Sequence, residues 1–249
     1  MSGQVERVAL VTGATGGIGT AIVKRLAADG FRVWISDVSL AACEALADEV
    51  RRAGAAAVPI VLDVCSEQAW RAVVEAVQES SGGLHALVNN AGIGNTETVV
   101  SESLDAYERV IGVTQTGVFL GMKHAGSLIE RSGGGAVVNI SSILGTVAGF
   151  GVGISYAAAK GAVRTMTKNA AVYWARKGVR VNSLHPGFIS TSHLLQEWGG
   201  SVDEMTRKTP MRRLGSPEEV AGVVSFLVGP DASYVTGSEI YADGGWTAV

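Results

Sequence analysis

The sequence predicts an α/β protein with a doubly wound parallel sheet of about seven strands and helices on both faces. Short apolar runs rich in Val, Ile, Leu and Ala alternate with helical patterns along the chain. Strands that are apolar throughout are typical of a sheet buried on both faces. Glycine supplies 33 of the 249 residues. A chain of this length often forms a single domain, so we expect one domain over residues 1–249.

The elements follow in order. Strands are predicted at residues 7–12, 31–36, 57–62, 84–88, 136–140, 179–184 and 239–242. Helices are predicted at 17–29, 40–53, 66–81, 154–177 and 217–228, with one or two more within 101–131. Ser66 and Ser216 are expected to cap the helices that follow them. Residues 187–214 form a long irregular connection, which predicts a substrate lid at about this position.

Charge and cysteine content exclude several classes of protein. The chain carries 20 basic and 23 acidic residues without a basic run, so we expect neither nucleic acid nor a membrane as a partner. Cys43 and Cys65 lack metal spacing, as do the histidines, so we expect free thiols and no metal. The N-terminal residues lack a signal-peptide pattern, and no apolar run reaches 18 residues. These features favour a cytoplasmic location.

A glycine-rich turn follows the first strand. The run TGATGGIG extends from Thr12 to Gly19 and ends inside the first predicted helix. Gly13 permits a tight turn, Gly17 lets the backbone approach a phosphate, and Gly19 lets helix and strand pack closely. The free N–H groups at the start of the helix favour a pyrophosphate group. A glycine-rich turn without a ligand is the alternative interpretation.

Four motifs together resemble those of the short-chain dehydrogenase/reductase family. TGATGGIG resembles the family's TGxxxGIG, and NNAG at 89–92 resembles the motif after its fourth strand. Ser142 precedes Tyr156 and Lys160, which match YxxxK, and Pro186-Gly187 matches PG after strand six. The motifs occur in the family's order along the chain. The resemblance implies a Rossmann-like fold and hydride transfer between a nicotinamide cofactor and an alcohol or ketone.

The end of the second strand predicts which cofactor is used. Asp37 can accept hydrogen bonds from the adenosine ribose hydroxyls and repel a 2′-phosphate, which favours NAD(H). The turn residues Ala14, Thr15 and Gly16 carry no charge that would attract that phosphate. An acid that merely stabilises the next helix is the alternative for Asp37.

The resemblance also implies a set of cofactor contacts. Asp63 would contact the adenine, or else only cap the next helix, and Thr191 would reach the cofactor or cap a helix of its own. The expected cofactor-binding residues are Gly13, Thr15, Gly16, Gly17, Ile18, Gly19, Asp37, Asp63, Val64, Asn90, Ala91, Gly92, Tyr156, Lys160, Pro186, Gly187, Ile189 and Thr191.

Tyr156 and Lys160 are the predicted catalytic pair. They are four residues apart at the start of a helix, so their side chains share one face. A tyrosine pKa near 10 is too high for a base at neutral pH, and a nearby ammonium group would lower it. Tyr156 would then act as general acid or base, with Ser142 holding the substrate oxygen. Ser141 could compete for that role, but the family's serine is usually the second of such a pair.

One position departs from the family pattern. The segment TQTGVF has Thr114 where the family usually carries a fourth catalytic residue, an asparagine. That asparagine helps to hold a water between the lysine and solvent. Threonine is shorter and lacks an amide, so we expect it to support the associated helix distortion less well. Proton release would then be slower, or the backbone would hold the water instead.

The expected substrate pocket is apolar. No Arg or Lys occurs in residues 186–206, which favours a neutral, fairly hydrophobic secondary alcohol or ketone. Cyclic, terpenoid, aryl and steroid alcohols all meet this description. The expected substrate-binding residues are Ser142, Leu144, Phe150, Tyr156, Phe188, Leu195 and Trp198. Two alternatives remain: an NADPH-dependent carbonyl or 3-oxoacyl reductase, and a non-catalytic NAD-binding regulatory protein.

The resemblance further implies a homotetramer. In relatives of this architecture, the long helices after strands four and five pack across a two-fold axis. Gly117, Gly121, Gly126 and Ala170-Ala171 would allow a partner helix to approach closely there.

Overall fold

The computed structural model describes residues 6–198 and 202–249. Within them, seven strands form one parallel sheet in the order β3-β2-β1-β4-β5-β6-β7. The predicted fold class is confirmed. The strands are β1 (Arg7–Thr12), β2 (Phe31–Asp37), β3 (Ala57–Val61), β4 (Ala86–Asn89), β5 (Gly135–Ile140), β6 (Val179–Pro186) and β7 (Glu239–Ala242).

Helices cover both faces of the sheet. They are α1 (Gly17–Ala28), α2 (Leu40–Arg52), α3 (Glu67–Ser81), α4 (Leu104–Ile111), α5 (Gly117–Gly121), α6 (Ser127–Arg131), α7 (Ile154–Trp174), α8 (Ser192–Trp198), α9 (Val202–Lys208) and α10 (Pro217–Val228). Two π-helical segments, Gly112–Thr116 and Met122–Gly126, join α4, α5 and α6 into one continuous helical rod.

The core lies in two apolar layers, one on each face of the sheet. The first layer packs α1, α2 and α10 against the strands, with Ile22 and Leu26 fully buried. The second packs α3, α5, α6 and α7 on the opposite face, around the fully buried Trp70. Burial of side chains on both faces explains why the strands are mostly apolar along their length.

Helix starts differ in a way that bears on function. Ser39, Ser66, Ser103 and Ser216 accept backbone N–H groups at the starts of α2, α3, α4 and α10. The helices α1 and α7, whose first turns lie wholly within the described residues, begin without a side-chain cap at the preceding residue. Their first N–H groups therefore need partners from elsewhere.

The structure corrects two expectations. The connection 187–214 is not irregular, since it contains the short helices α8 and α9. The glycines of the α4–α6 rod do not open a surface for a partner helix. A Cβ on Gly117 would lie 2.8 Å from Val64, one on Gly121 2.2 Å from Asn89, and one on Gly126 2.6 Å from Trp174. These glycines pack against the chain's own core, and Ala171 is likewise buried.

The described part of the chain contains neither a membrane-spanning helix nor a cluster of metal-binding side chains. No helix in 6–198 or 202–249 is long and apolar enough to cross a membrane. Within the same ranges, no three His, Cys, Asp or Glu side chains converge as a metal site would require.

Candidate active site

A cleft of about 670 Å³ opens at the carboxyl ends of the strands, where the sheet order reverses between β1 and β4. Ligands of open α/β sheets bind at this position. All expected cofactor-binding residues line the cleft, as do Ser142, Leu144, Phe150 and Phe188 from the expected catalytic and substrate groups. Its walls also include residues that sequence reasoning left out of the site: Val38, Leu62, Ile93, Asn95, Val113, Ile140, Val152 and Gly153.

The glycine turn is built by close backbone contacts. Gly13 has a φ of 59°, and a Cβ there would lie 2.7 Å from the Cα of Ala91. A Cβ on Gly19 would lie 2.2 Å from the carbonyl oxygen of Gly13. The Asn90 side-chain amide donates hydrogen bonds to the carbonyls of Thr12 (3.0 Å) and Gly13 (2.9 Å). The turn is therefore fixed against β4, and α1 directs its uncapped N–H groups towards the cleft.

Asp37 closes the turn at the end of β2. Its carboxylate accepts hydrogen bonds from the Thr15 backbone N–H (3.1 Å) and hydroxyl (2.6 Å). Its other oxygen accepts the N–H of Val38 at 2.8 Å. The carboxylate is thus held at the cleft wall, and no basic side chain pairs with it among the described residues.

Ser142, Tyr156 and Lys160 converge at the other end of the cleft. Ser142 lies two residues after β5, and its Oγ accepts the N–H of Leu144 at 3.1 Å, which begins a short 3₁₀ turn. Lys160 is almost fully buried, and its Nζ donates to the carbonyl of Ile140 at 2.7 Å. The Nζ lies 5.5 Å from the centre of the Tyr156 ring. Ser141 instead donates its hydroxyl to the carbonyl of Lys160, which leaves Ser142 beside Tyr156.

The chain's own groups do not produce the expected pKa of Tyr156. Burial raises that pKa, and a hydrogen bond with the Ser142 side chain only partly opposes the effect. Burial also lowers the pKa of Lys160 from its usual 10.5 to about 8. The expected lowering of the Tyr156 pKa therefore does not occur without a cofactor, because burial outweighs any effect of Lys160. Its ammonium faces the Ile140 carbonyl, and the loss of hydration dominates both shifts.

Thr114 lies outside the cleft lining but beside it. Its hydroxyl donates to the carbonyl of Ile93 and accepts the N–H of the same residue, both at 2.9 Å. The helix is π-helical at Gly112–Thr116, so the distortion occurs with threonine present, contrary to expectation. Thr114 thus fixes the segment that carries Ile93 to the wall of the cleft.

Aromatic side chains form the end of the cleft where the substrate is expected. Phe150 and Phe188 line it with ring centres 5.8 Å apart, and Trp246 packs edge-on against Phe188 at 4.8 Å. Sequence reasoning missed Trp246 because only the fold brings the C-terminal turn to this wall. Leu195 does not line the cleft and is 46% exposed, while its neighbour Leu194 does. The Trp198 side chain lies outside what the structure describes.

A buried histidine also contacts this group. His185 Nδ1 lies 3.0 Å from the Ser142 carbonyl oxygen, and its Nε2 lies 2.9 Å from the Ser183 hydroxyl. Burial lowers the pKa of His185, which favours the neutral ring at this position. The Ser142 backbone is therefore held from β6 as well as from its own strand.

Fold and cleft together define a dinucleotide-binding oxidoreductase architecture, and comparisons with known proteins agree. A family model described as Enoyl-(Acyl carrier protein) reductase matches residues 13–247. The 2,5-dichloro-2,5-cyclohexadiene-1,4-diol dehydrogenase LinX of Sphingobium indicum is 37% identical over 241 residues, which cover 97% of this chain and 96% of that protein. Cyclohexanol dehydrogenase of an Acinetobacter species is 40% identical over 244 residues, or 98% and 96%.

A solved structure extends the likeness to three dimensions. The crystal structure of levodione reductase matches with a TM-score of 0.92 at 35% sequence identity, covering 98% of both chains. The chain belongs to the short-chain dehydrogenase/reductase family.

Proposed function

We propose that this protein is an NAD(H)-dependent dehydrogenase of neutral, fairly hydrophobic secondary alcohols, which also catalyses the reverse reduction of ketones. The observation that carries the proposal is that Ser142, Tyr156 and Lys160 face the same cleft as the glycine turn. A non-catalytic binding protein would not need these three side chains at one point. Membership of the family supports the reaction class.

The residues present fit a nicotinamide dinucleotide. Backbone contacts at Gly13 and Gly19 leave no room for a side chain at these two positions, and α1 begins without a cap of its own, as a pyrophosphate site requires. Asp37 would accept the ribose hydroxyls and disfavour a 2′-phosphate, which supports NAD(H) over NADP(H). The cofactor, when bound, supplies the acceptor or donor of the hydride.

The protein's own groups would handle the proton. Ser142 would hydrogen-bond the substrate oxygen, and Tyr156 Oη would take its proton in oxidation or return one in reduction. The ammonium of Lys160 would favour the phenolate, aided by the positive charge of the oxidised nicotinamide, which opposes the burial that raises the Tyr156 pKa. Phe150 and Phe188 would exclude water from the reacting atoms.

The lining of the cleft supports a neutral, ring-shaped substrate. Asp37, Asp63 and Lys160 are the charged side chains among the described lining residues. The two carboxylates lie at the dinucleotide end, and Lys160 is committed to the catalytic group. Two relatives are named for alcohols on six-membered rings. We therefore propose cyclic secondary alcohols as the first substrates to test.

The test is steady-state turnover of cyclohexanol and other cyclic alcohols with NAD⁺, comparing the unmodified protein with Tyr156→Phe. General acid–base catalysis contributes roughly 10²- to 10⁴-fold, so we expect a loss in kcat of about 10³-fold. Tyr234→Phe is the matched control, because the Tyr234 side chain is fully exposed and does not line the cleft. Equal turnover by Tyr156→Phe and the unmodified protein would refute the assigned mechanism.

We also propose the homotetramer that the resemblance implies. With the rod glycines turned inward, exposed apolar side chains such as Phe119, Val172 and Tyr173 are the better support for a partner surface. Light scattering after gel filtration would measure the mass of the assembly, and a mass of one chain would contradict this proposal.

A further inference from the structure

The helix that carries Tyr156 and Lys160 starts in an unusual way. Its preceding residue, Gly153, has a φ of 69° and offers no side-chain cap, and the first turn contains no acidic residue. The first N–H groups of a helix are unsatisfied unless some other group accepts them. An uncapped start would allow the first turn, which includes Tyr156, to fray.

A distant carboxylate supplies the missing cap. One Glu102 oxygen accepts the Ser155 N–H at 3.2 Å, and the other accepts the Ser155 hydroxyl. Asn95 donates to that second oxygen at 2.6 Å. Glu102 is 53 residues away in sequence, just before α4, whereas Ser155 is fully buried and directly precedes Tyr156.

The same contact links the helix to the cleft wall. Asn95 lines the cleft, and a Cβ on its neighbour Gly94 would lie 3.0 Å from the Tyr156 ring. Burial raises the pKa of Glu102, but the hydrogen bonds from Ser155 and Asn95 bring it below its usual value, so the group is charged at neutral pH. A negative charge at a helix N-terminus is also favoured by the helix dipole.

We propose that Glu102 is a positioning residue for Tyr156: it caps α7 from outside the helix and fixes Tyr156 against the 93–95 wall of the cleft. The proposal rests on the proposed function, since it assigns Glu102 a role through the general acid–base group. A displacement of about 1 Å at a catalytic group lowers rates by roughly 10²-fold. Glu102 does not line the cleft, so it should act on the rate of hydride transfer rather than on cofactor binding.

The test is the first turnover of cyclohexanol by the protein preloaded with NAD⁺, followed by NADH absorbance. The rate constant reports the position of Tyr156, while the amplitude counts folded, cofactor-loaded sites. For Glu102→Ala we expect a rate constant lower by about ten- to hundredfold with an unchanged amplitude. Glu102→Gln keeps the size of the side chain and one acceptor oxygen, so its rate constant should lie between those of Glu102→Ala and the unmodified protein.

Two further variants sharpen the result. Glu97→Gln is the matched control, because the Glu97 carboxylate contacts only Ser101 among the described residues. The substitution keeps the Glu97 backbone carbonyl, which accepts the N–H of Gly153. We expect it to match the unmodified protein. Ser155→Ala combined with Glu102→Ala should cost no more than Glu102→Ala alone, because both remove the same contact.

The outcomes separate cleanly. The positioning role would be overturned if the rate constants of Glu102→Ala and Glu102→Gln were both within twofold of that of the unmodified protein. It would also be overturned if these variants showed a lower amplitude with an unchanged rate constant. If Glu102→Ala does not fold, the rate constant of Glu102→Gln decides between these outcomes. Absence of turnover by the unmodified protein with every alcohol tested would overturn the proposed function and this proposal together.

Discussion

Replacing Lys160 by methionine should abolish catalysis and yet stabilise the protein. Lys160 is 3% exposed, and burial lowers its pKa from 10.5 to about 8. One pKa unit corresponds to about 1.4 kcal/mol, so keeping the ammonium buried at neutral pH costs roughly 3 kcal/mol. Methionine has a similar length, is apolar, and removes this cost. It also leaves the Ile140 carbonyl without its donor, which costs about 1 kcal/mol.

The net gain in the free energy of unfolding is therefore about 2 kcal/mol, or roughly 4–8 °C in Tm for a chain of this size. The sign of the pH dependence follows from the lowered pKa. Below pH 8 lysine is protonated in both folded and unfolded chains, so the full cost is present. Between pH 8 and 10.5 only the unfolded chain still binds the proton, so the unmodified protein gains stability and the advantage of Lys160→Met shrinks.

The assay is thermal unfolding without cofactor at pH 6.5 and at pH 9.5, where about 2 kcal/mol of the advantage should have disappeared. Lys24→Met is the control, because Lys24 is exposed in a surface ion pair with Glu49 and its loss should change stability by less than about 1 kcal/mol. A Tm of Lys160→Met equal to or below that of the unmodified protein at pH 6.5 would refute the reasoning.

Two predictions concern the cofactor. Asp37→Ser removes the carboxylate that Thr15 holds at the cleft. Because the hydrogen bonds to the ribose and the repulsion of a 2′-phosphate are both lost, the ratio of kcat/KM for NADP⁺ to kcat/KM for NAD⁺ should rise by at least about tenfold. An unchanged ratio would contradict the cofactor assignment. Gly19→Ala places a Cβ 2.2 Å from the Gly13 carbonyl, so the turn must shift. Because overpacking usually costs about 1–3 kcal/mol, the affinity for NADH should fall by at least about tenfold. Fluorescence titration would measure this affinity, and an unchanged value would show that the turn can adjust.

Much of the fold follows from local sequence patterns. The predicted boundaries of β1, α10 and β7 match the structure, because apolar runs and a Ser-Pro start specify these elements within a few residues. The glycine turn was predictable for the same reason, since strand, glycines and helix are contiguous. The YxxxK spacing placed Tyr156 and Lys160 on one helix face without any knowledge of the rest of the chain.

Other features depend on contacts that no local pattern contains. The glycines at 117, 121 and 126 suggest that another element packs closely against this helix. Whether that element is a partner helix or the chain's own core depends on how the helical rod lies on the sheet, and these glycines face the core. The helices α8 and α9 within residues 187–214 were not predicted, because they are too short to show a clear helical period of apolar residues.

The sequence by itself determined the order of the elements and the glycine turn, and it predicted the catalytic groups, because each motif consists of residues close together in the chain. Only the tertiary structure decided their environment. It surrounds Tyr156 and Lys160 with groups that replace water, which sets the direction of both pKa shifts. It also brings Trp246 against Phe188 and Glu102 to the start of α7, since contacts across such separations exist only once the chain is packed.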